Sequence, residues 1–203
     1  MNFFWKKIPL RQGSVDETRP TPEMREKTDD IDLALAAAGG DADAFSVLLA
    51  RRYDGLFRLC FRLTGSKVEA EDLTQDICAM LPSKLRSYKG NAAFTTWLYR
   101  IAVNASHDRR RKQATHTRAA VGWGDWEMNR QAEIAEGQQQ ADWLAMAMCQ
   151  LPQDLRDTLA LVLDDLTHAA AADVLGVSEG TISWRISQAK KQLSALRDIE
   201  DQT

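Results

Sequence analysis

Long hydrophobic runs are missing from this chain: no apolar stretch approaches the ~18–20 residues that a helix needs to cross a bilayer, so no membrane insertion is expected. Cysteine is scarce as well. Cys60, Cys78 and Cys149 lie far apart and show no CxxC spacing, which argues against a disulfide framework and a zinc site and leaves them as small buried apolar residues. His107, His116 and His168 have no ligand spacing with cysteine or carboxylate, and there is no Gly-rich phosphate loop, no GxSxG and no HExxH. No catalytic centre, no metal and no cofactor are therefore expected, and each histidine reads as a surface or capping residue. Alternating strand patterns are also absent, so the fold class is all-α.

An excess of positive charge is lacking too: the formal net charge is −3 over 203 residues. That value hides a segregation. Between Lys84 and Lys112 there are eight basic residues against one acidic, Asp108. Between Gly122 and Asp165 there are nine acidic residues against two basic, Arg130 and Arg156. A basic block of this kind is the footprint of a phosphate-binding surface, whereas the acidic balance of the whole predicts that the chain does not hold DNA tightly alone. With 44% apolar and 27% charged residues, most of the chain should fold.

The chain divides into four parts. Residues 1–30 contain Pro9, Pro20 and Pro22 and no apolar period, and read as a loose extension. Its start is aromatic and basic (Phe3, Phe4, Trp5, Lys6, Lys7), without a secretory apolar core, so the chain reads as cytoplasmic. Residues 31–112 form a helical domain. Asp41 caps a helix with an apolar face of Phe45, Leu48, Leu49, Leu56, Phe57, Cys60, Phe61 and Leu63, ended by Thr64-Gly65. Ser66 and Glu69 form a capping box for a second helix that points Val68, Leu73, Ile77 and Leu81 inward and should stop or kink at Pro82. A third runs through Phe94, Trp97, Leu98, Ile101, Ala102 and Ala105 to Arg109-Arg110-Arg111-Lys112. Residues 113–140 lose the amphipathic pattern and read as a flexible linker. Residues 141–203 form the last domain: a helix before Leu151-Pro152, a helix from Gln153 to Asp165, a short one from His168 capped by Thr167, the turn Gly176-Val177, and a final helix capped by Ser178.

A short helix, a glycine-containing turn and a longer second helix follow the helix-turn-helix plan, whose second helix enters the major groove. Its outward side offers Glu179, Thr181, Ser183, Trp184, Arg185, Ser187, Gln188, Lys190 and Lys191, with hydroxyl and amide groups for base edges and cations for phosphates. A plain helical hairpin with a solvated face is the competing reading. In the first domain Phe94, Trp97 and Tyr99 lie near one end of a helix and four basic residues at the other, a combination suited to single-stranded nucleic acid. Phe94, Trp97 and Leu98 equally fit a core stripe, and the basic cluster equally fits a solvated helix end.

Two long segments resemble a known family. Glu71-Asp-Leu-Thr-Gln-Asp76, followed by Tyr88-Lys-Gly-Asn-Ala-Ala-Phe-Thr-Thr-Trp-Leu-Tyr-Arg-Ile-Ala-Val-Asn104, is similar to region 2 of the extracytoplasmic-function (ECF) sigma factors of the sigma-70 family, group IV. Leu151-Pro-Gln-Asp-Leu-Arg156 through Leu175-Gly-Val-Ser-Glu-Gly-Thr-Ile182 resembles their region 4. The resemblance implies a factor that binds core RNA polymerase through its largest subunits and directs initiation at promoter DNA. It assigns Asp72, Leu73, Gln75 and Asp76 to polymerase docking. It assigns Lys89, Asn91, Phe94, Thr96, Trp97, Arg100, Asn104, Arg109 and Arg110 to the −10 element, and Ser178, Glu179, Thr181, Ser183, Trp184, Arg185, Ser187, Gln188 and Lys191 to the −35 element. It also implies an anti-sigma partner, and a linker whose Asp125 and Glu127 thread toward the polymerase active centre.

The sequence departs from the family pattern at three places. Pro82-Ser83 interrupts a helix that usually runs on, His168-Ala-Ala-Ala-Ala172 lacks the customary acidic residues, and Ser183-Trp184 replaces a more basic pair. Trp184 is open to two uses, apolar contact with DNA or contact with a partner. The alternative function is a helix-turn-helix regulator that acts without polymerase, against which the Glu71–Asp76 segment argues.

Overall fold

The computed structural model describes residues 28–119 and 139–200, and among them there are eight α-helices and no strand. Most of the 1–30 extension, most of the 113–140 linker with Asp125 and Glu127, and residues 201–203 lie outside the described residues, as does the side chain of His116.

Three helices of the first domain follow from the apolar periods. Helix α1 (Asp30–Ala38) begins at Asp29, whose carboxylate accepts from the Asp30 N–H at 2.7 Å. It is only nine residues long and apolar at nearly every position, so its sequence carries no one-sided period, and Leu33 and Ala34 are its buried apolar residues. Helix α2 (Ala42–Thr64) is capped by Asp41, which accepts from the N–H groups of Asp43 and Ala44. It ends at Gly65, whose φ of 71° lets its N–H reach the Phe61 carbonyl. Helix α3 (Lys67–Leu85) starts at Ser66, whose hydroxyl accepts from the Glu69 N–H. The reciprocal half of the capping box is not made, because the Ser66 N–H turns to the Thr64 hydroxyl.

Two expectations for α3 are corrected. Pro82 neither stops nor interrupts the helix, which continues to Leu85. Only one turn follows the proline, and the burial of Leu81 and Leu85, each 1% exposed, holds it against the core. Val68 is 45% exposed rather than inward, since Ala70, Leu73, Thr74 and Ile77 set the buried face and Val68, two residues before Ala70, falls on the opposite side of the helix. Helix α4 (Phe94–Ala119) runs past Lys112 into the segment read as linker.

The second domain comprises α5 (Gln139–Gln150), α6 (Gln153–Val162), α7 (His168–Leu175) and α8 (Glu179–Glu200). Helix α6 is shorter than expected: Asp164 and Asp165 fall in the turn that follows, with Asp165 in the left-handed region at φ 62°, a conformation that aspartate tolerates better than most residues. Leu163, just past the end of this helix, is 38% exposed. Helix α7 is capped by the Thr167 hydroxyl, which accepts from the Ala170 N–H at 3.1 Å. Gly176 (φ 66°) closes it and makes the sharp turn into α8.

The two domains pack against each other. Helices α5 and α6 lie on α2, and α7 lies on α4. One contiguous core runs through both, from Leu33, Leu48 and Leu56 to Met148, Leu161 and Ile182.

Candidate nucleic-acid interface

Helix α3 presents an acidic edge. Its i, i+3, i+4 spacing puts Asp72, Gln75 and Asp76 on the exposed side while Leu73, Thr74, Ile77 and Cys78 face the core. Leu73, assigned to docking with them, is 2% exposed and is a core residue instead. Arg109 of α4 reaches across to this edge, 3.2 Å from Asp72 and 3.6 Å from Asp76. The edge is thus a solvent-facing carboxylate pair already ordered by one guanidinium, and Arg109 is placed there rather than free for a phosphate.

The segment between α3 and α4 is organised by aromatic contacts. Tyr88, Phe94 and Trp97 form a trio with ring centroids 5.2–5.8 Å apart, and the Tyr88 hydroxyl donates to the Ala92 carbonyl at 2.7 Å. Gly90 turns the loop at φ 72° against Ile31 and Leu35 of α1. Lys89 and Asn91 are left exposed on the rim, with Trp97 half-buried behind them. Phe94 (3% exposed) and Leu98 (0%) are buried, as the core-stripe reading has them, and Thr96 (7%) is buried as well, so these residues shape the surface from beneath. Further along α4, Asn104 is exposed. Arg100 pairs with the Asp173 carboxylate at 3.0 Å. Arg110 turns inward to the Leu63 carbonyl at 2.7 Å, and burial, then the nearby Arg156, lowers its pKa. Of the basic set assigned to the −10 strand, Arg100, Arg109 and Arg110 are therefore all engaged within the protein.

The helix-turn-helix stands as expected. Ile182 and Ala189 are fully buried, with Ile186 and Leu193 packed beside them. Ser178 caps α8, its hydroxyl accepting from the Thr181 N–H at 3.1 Å and lying 2.9 Å from the Thr181 hydroxyl. Glu179, Ser183, Trp184, Ser187, Lys190 and Lys191 are exposed, Trp184 to 58%. Thr181 and Gln188 are half-buried on the same helix. Arg185 pairs with Asp154 of α6 at 3.4 Å, so it braces the recognition helix. His168 Nδ1 lies 3.3 Å from the Ser183 hydroxyl and orients one of the outward groups.

Sequence reasoning missed the carboxylates that join the two domains. Asp164 lies against Arg58, Arg62 and Tyr99, and Asp157 against His107. No local signal identifies such pairs, because their members are 50 to 106 residues apart. Among the described residues no group of three or more metal-ligating side chains occurs, and no helix is long and apolar enough to cross a membrane.

Comparison with known proteins agrees with this geometry. Residues 48–116 match sigma-70 region 2, and residues 141–193 match sigma-70 region 4. The ECF RNA polymerase sigma factor SigW of Bacillus subtilis is 30% identical over 173 residues, covering 79% of this chain and 92% of that protein. SigM of Mycobacterium tuberculosis, also an ECF sigma factor, is 30% identical over 173 residues, covering 85% of this chain and 86% of its own. Among solved structures, CnrH in complex with the cytosolic domain of CnrY has a TM-score of 0.64 at 23% identity, covering 84% of this chain and 97% of that one. The sigma factor RpoE of Bartonella quintana, solved with the anti-sigma factor NepR, has a TM-score of 0.63 at 23% identity, covering 76% of this chain and 97% of its own. An acidic helical edge, an aromatic-backed loop and a capped helix-turn-helix, in this order and on these two matched regions, place the chain in the sigma-70 family, among the ECF RNA polymerase sigma factors.

Proposed function

We propose that this chain initiates promoter-specific transcription by docking the acidic α3 edge on core RNA polymerase, holding the opened −10 strand on the loop before α4, and reading the −35 duplex with α8. The observation that carries this reading is that one chain exposes both an acidic docking edge (Asp72, Gln75, Asp76) and a recognition helix (Ser183, Trp184, Ser187, Lys191). A regulator that worked without polymerase would have no use for the first.

The division of labour follows from the side chains. Lys89 and Asn91 offer a cation and an amide beside the half-buried Trp97 face, on which an unstacked base gains about 1–3 kcal/mol. Trp184 projects an apolar face toward the groove, suited to a thymine methyl, with Ser183 and Ser187 for base edges and Lys190 and Lys191 for phosphates. The domain limits that fit this scheme are 31–112 for region 2 and 141–203 for region 4. Binding free energy drives strand opening, so no catalytic group or cofactor is required. The acidic net charge of −3 fits a factor whose basic DNA channel is completed by the polymerase. An anti-sigma protein is the expected negative partner, and the cytoplasm the expected compartment.

Run-off transcription with core polymerase over a promoter library, with and without the chain, tests the reading. Added chain is expected to create new start sites, and transcripts independent of it would refute the proposal. Asp72→Ala with Asp76→Ala is expected to abolish co-elution with core polymerase while leaving helicity intact; unchanged co-elution would overturn the docking assignment.

A further inference from the structure

A cationic cavity of about 210 Å3 opens where the end of α2 meets α3, α4, α5 and α6. Helix α4 supplies Ser106, Arg109 and Arg110, α5 supplies Cys149, and α6 supplies Arg156. Ser106 and Arg110 are four residues apart and so share one face of their helix. Among the described residues that line the cavity, three guanidiniums stand against one carboxylate, Glu69 of α3, which accepts from Gln113 at 3.4 Å. The glycine that ends α2 leaves the thiol its place, since a Cβ on Gly65 would meet Cys149 Sγ at 2.3 Å.

The two inner cations lack a counter-charge. Arg110 Nη2 donates to the Leu63 carbonyl at 2.7 Å and to the Ser106 hydroxyl at 3.5 Å. Arg156 Nη1 lies 3.5 Å from that same carbonyl, and its other donors go to the carbonyls of Met148, Cys149 and Leu151. Every one of these partners is neutral, and neither arginine makes an ion pair among the described residues. Asp157, a buried carboxylate close enough to act on both, is taken by His107 at 2.6 Å. Burial, then the charge of Arg156, disfavours the charged form of Arg110. Half-buried like charges that converge on one carbonyl are stabilised by an anion, and a guanidinium fork matches an oxyanion in geometry. Both hydrogen bonds of Arg110 leave from Nη2, so its Nε and Nη1 are left to donate.

We propose that this cavity is a binding site for a small phosphate-type oxyanion, gripped by Arg110 and Arg156 with Arg109 beside them. Its volume lies below the ~300–1,000 Å3 typical of small-molecule sites, which suits inorganic phosphate or pyrophosphate rather than a nucleotide. Arg109 contributes less than the inner pair, because Asp72 and Asp76 hold it at 3.2 and 3.6 Å. The site needs neither polymerase nor DNA, so it stands or falls apart from the functional reading above. Arg110 and Arg156 meet only in the folded chain, so the ligand binds the native state and stabilises it by mass action.

The test uses the full chain and the thiol that lines the cavity. Cys149 is alkylated with iodoacetamide, a neutral reagent, in phosphate, pyrophosphate or chloride at equal ionic strength, and labelling is read by mass spectrometry. Phosphate at ten times its dissociation constant leaves about one site in eleven empty. Labelling is therefore expected to slow saturably, by about tenfold, in phosphate and not in chloride. The same occupancy raises the folding constant about elevenfold, seen as a higher urea midpoint. Arg110→Gln is expected to weaken the protection about tenfold, and Arg109→Gln much less. Ser106→Asp sets a carboxylate beside Arg110; it is expected to raise the urea midpoint in chloride and to abolish the phosphate effect. That variant keeps the test open should Arg110→Gln fail to fold. Protection that climbs without saturating, or that survives in both variants, is the general action of an excluded salt and would overturn the site. Protection by a short single-stranded oligonucleotide, but by neither phosphate nor pyrophosphate, would overturn the small oxyanion as its occupant.

Discussion

At the scale of single residues, burial decides which groups are chemically available. Desolvation pushes the Cys60 thiol up to about 11 and the Cys78 thiol up to about 12, so neither has appreciable thiolate at neutral pH. Cys149 is also raised by burial, but Arg156 and Arg110 work in the opposite direction and the residue is only half-buried. In the folded chain at neutral pH, Cys149 is therefore expected to alkylate first, with Cys60 and Cys78 reacting only in denaturant; mass-resolved labelling checks the order. Asp157 is raised from its ordinary value of 3.8 by burial, partly offset by His107. A carboxyl raised in the folded state favours folding when protonated. Its contribution is complete below 3.8 and is lost as pH rises through the folded value. The stability difference between wild type and Asp157→Asn, from urea titrations across that window, is expected to shift against the wild type as pH rises.

At the scale of elements, the helix-turn-helix was legible because its signals are local. Thr167 and Ser178 cap, Gly176 turns, and Ile182, Ile186, Ala189 and Leu193 repeat at helical steps. Gly176 has nothing within 4 Å of a built Cβ, so a side chain there meets open space and only backbone strain. Gly176→Ala is expected to cost about 1–2 kcal/mol, seen as a lower urea midpoint with an unchanged m-value. Elsewhere local signals were weak or misleading. Helix α1 spans only nine residues and is apolar at nearly every position, so no one-sided period shows, and its Asp30 is buried through Arg51 and Arg52 of α2, which only the tertiary fold reveals. Pro82 reads as a breaker, yet the packing of Leu81 and Leu85 outweighs one missing hydrogen bond. The site was legible by residue type and only partly by placement. The motif names Leu73, Phe94, Arg109 and Arg110 alongside Asp72, Lys89 and Asn91, but helical phase and long-range partners decide which of them meet solvent.

At the scale of the whole molecule, the segregated charges acquire a structural meaning. The acidic residues that follow the linker and the basic residues of α2 and α4 are not two independent surfaces; Asp157, Asp164 and Asp173 meet His107, Arg58, Arg62 and Arg100 across one seam. The contacts differ in how far water reaches them. Arg100 and Asp173 are 45% and 55% exposed, whereas Asp164 is 3% exposed. Salt screens the first pair strongly, since the Debye length falls to about 3 Å at 1 M, and a buried carboxylate much less. Asp173→Ala is therefore expected to accelerate Cys149 labelling at low salt and to lose that effect near 1 M, where the wild-type pair is itself screened. Asp164→Asn should accelerate labelling at both ionic strengths. Labelling rates for the three chains across a salt series separate the two contributions. If both variants lost their effect in high salt, the seam would be held by surface attraction alone, and the buried Asp164 contact would not be the bond that keeps region 4 in place.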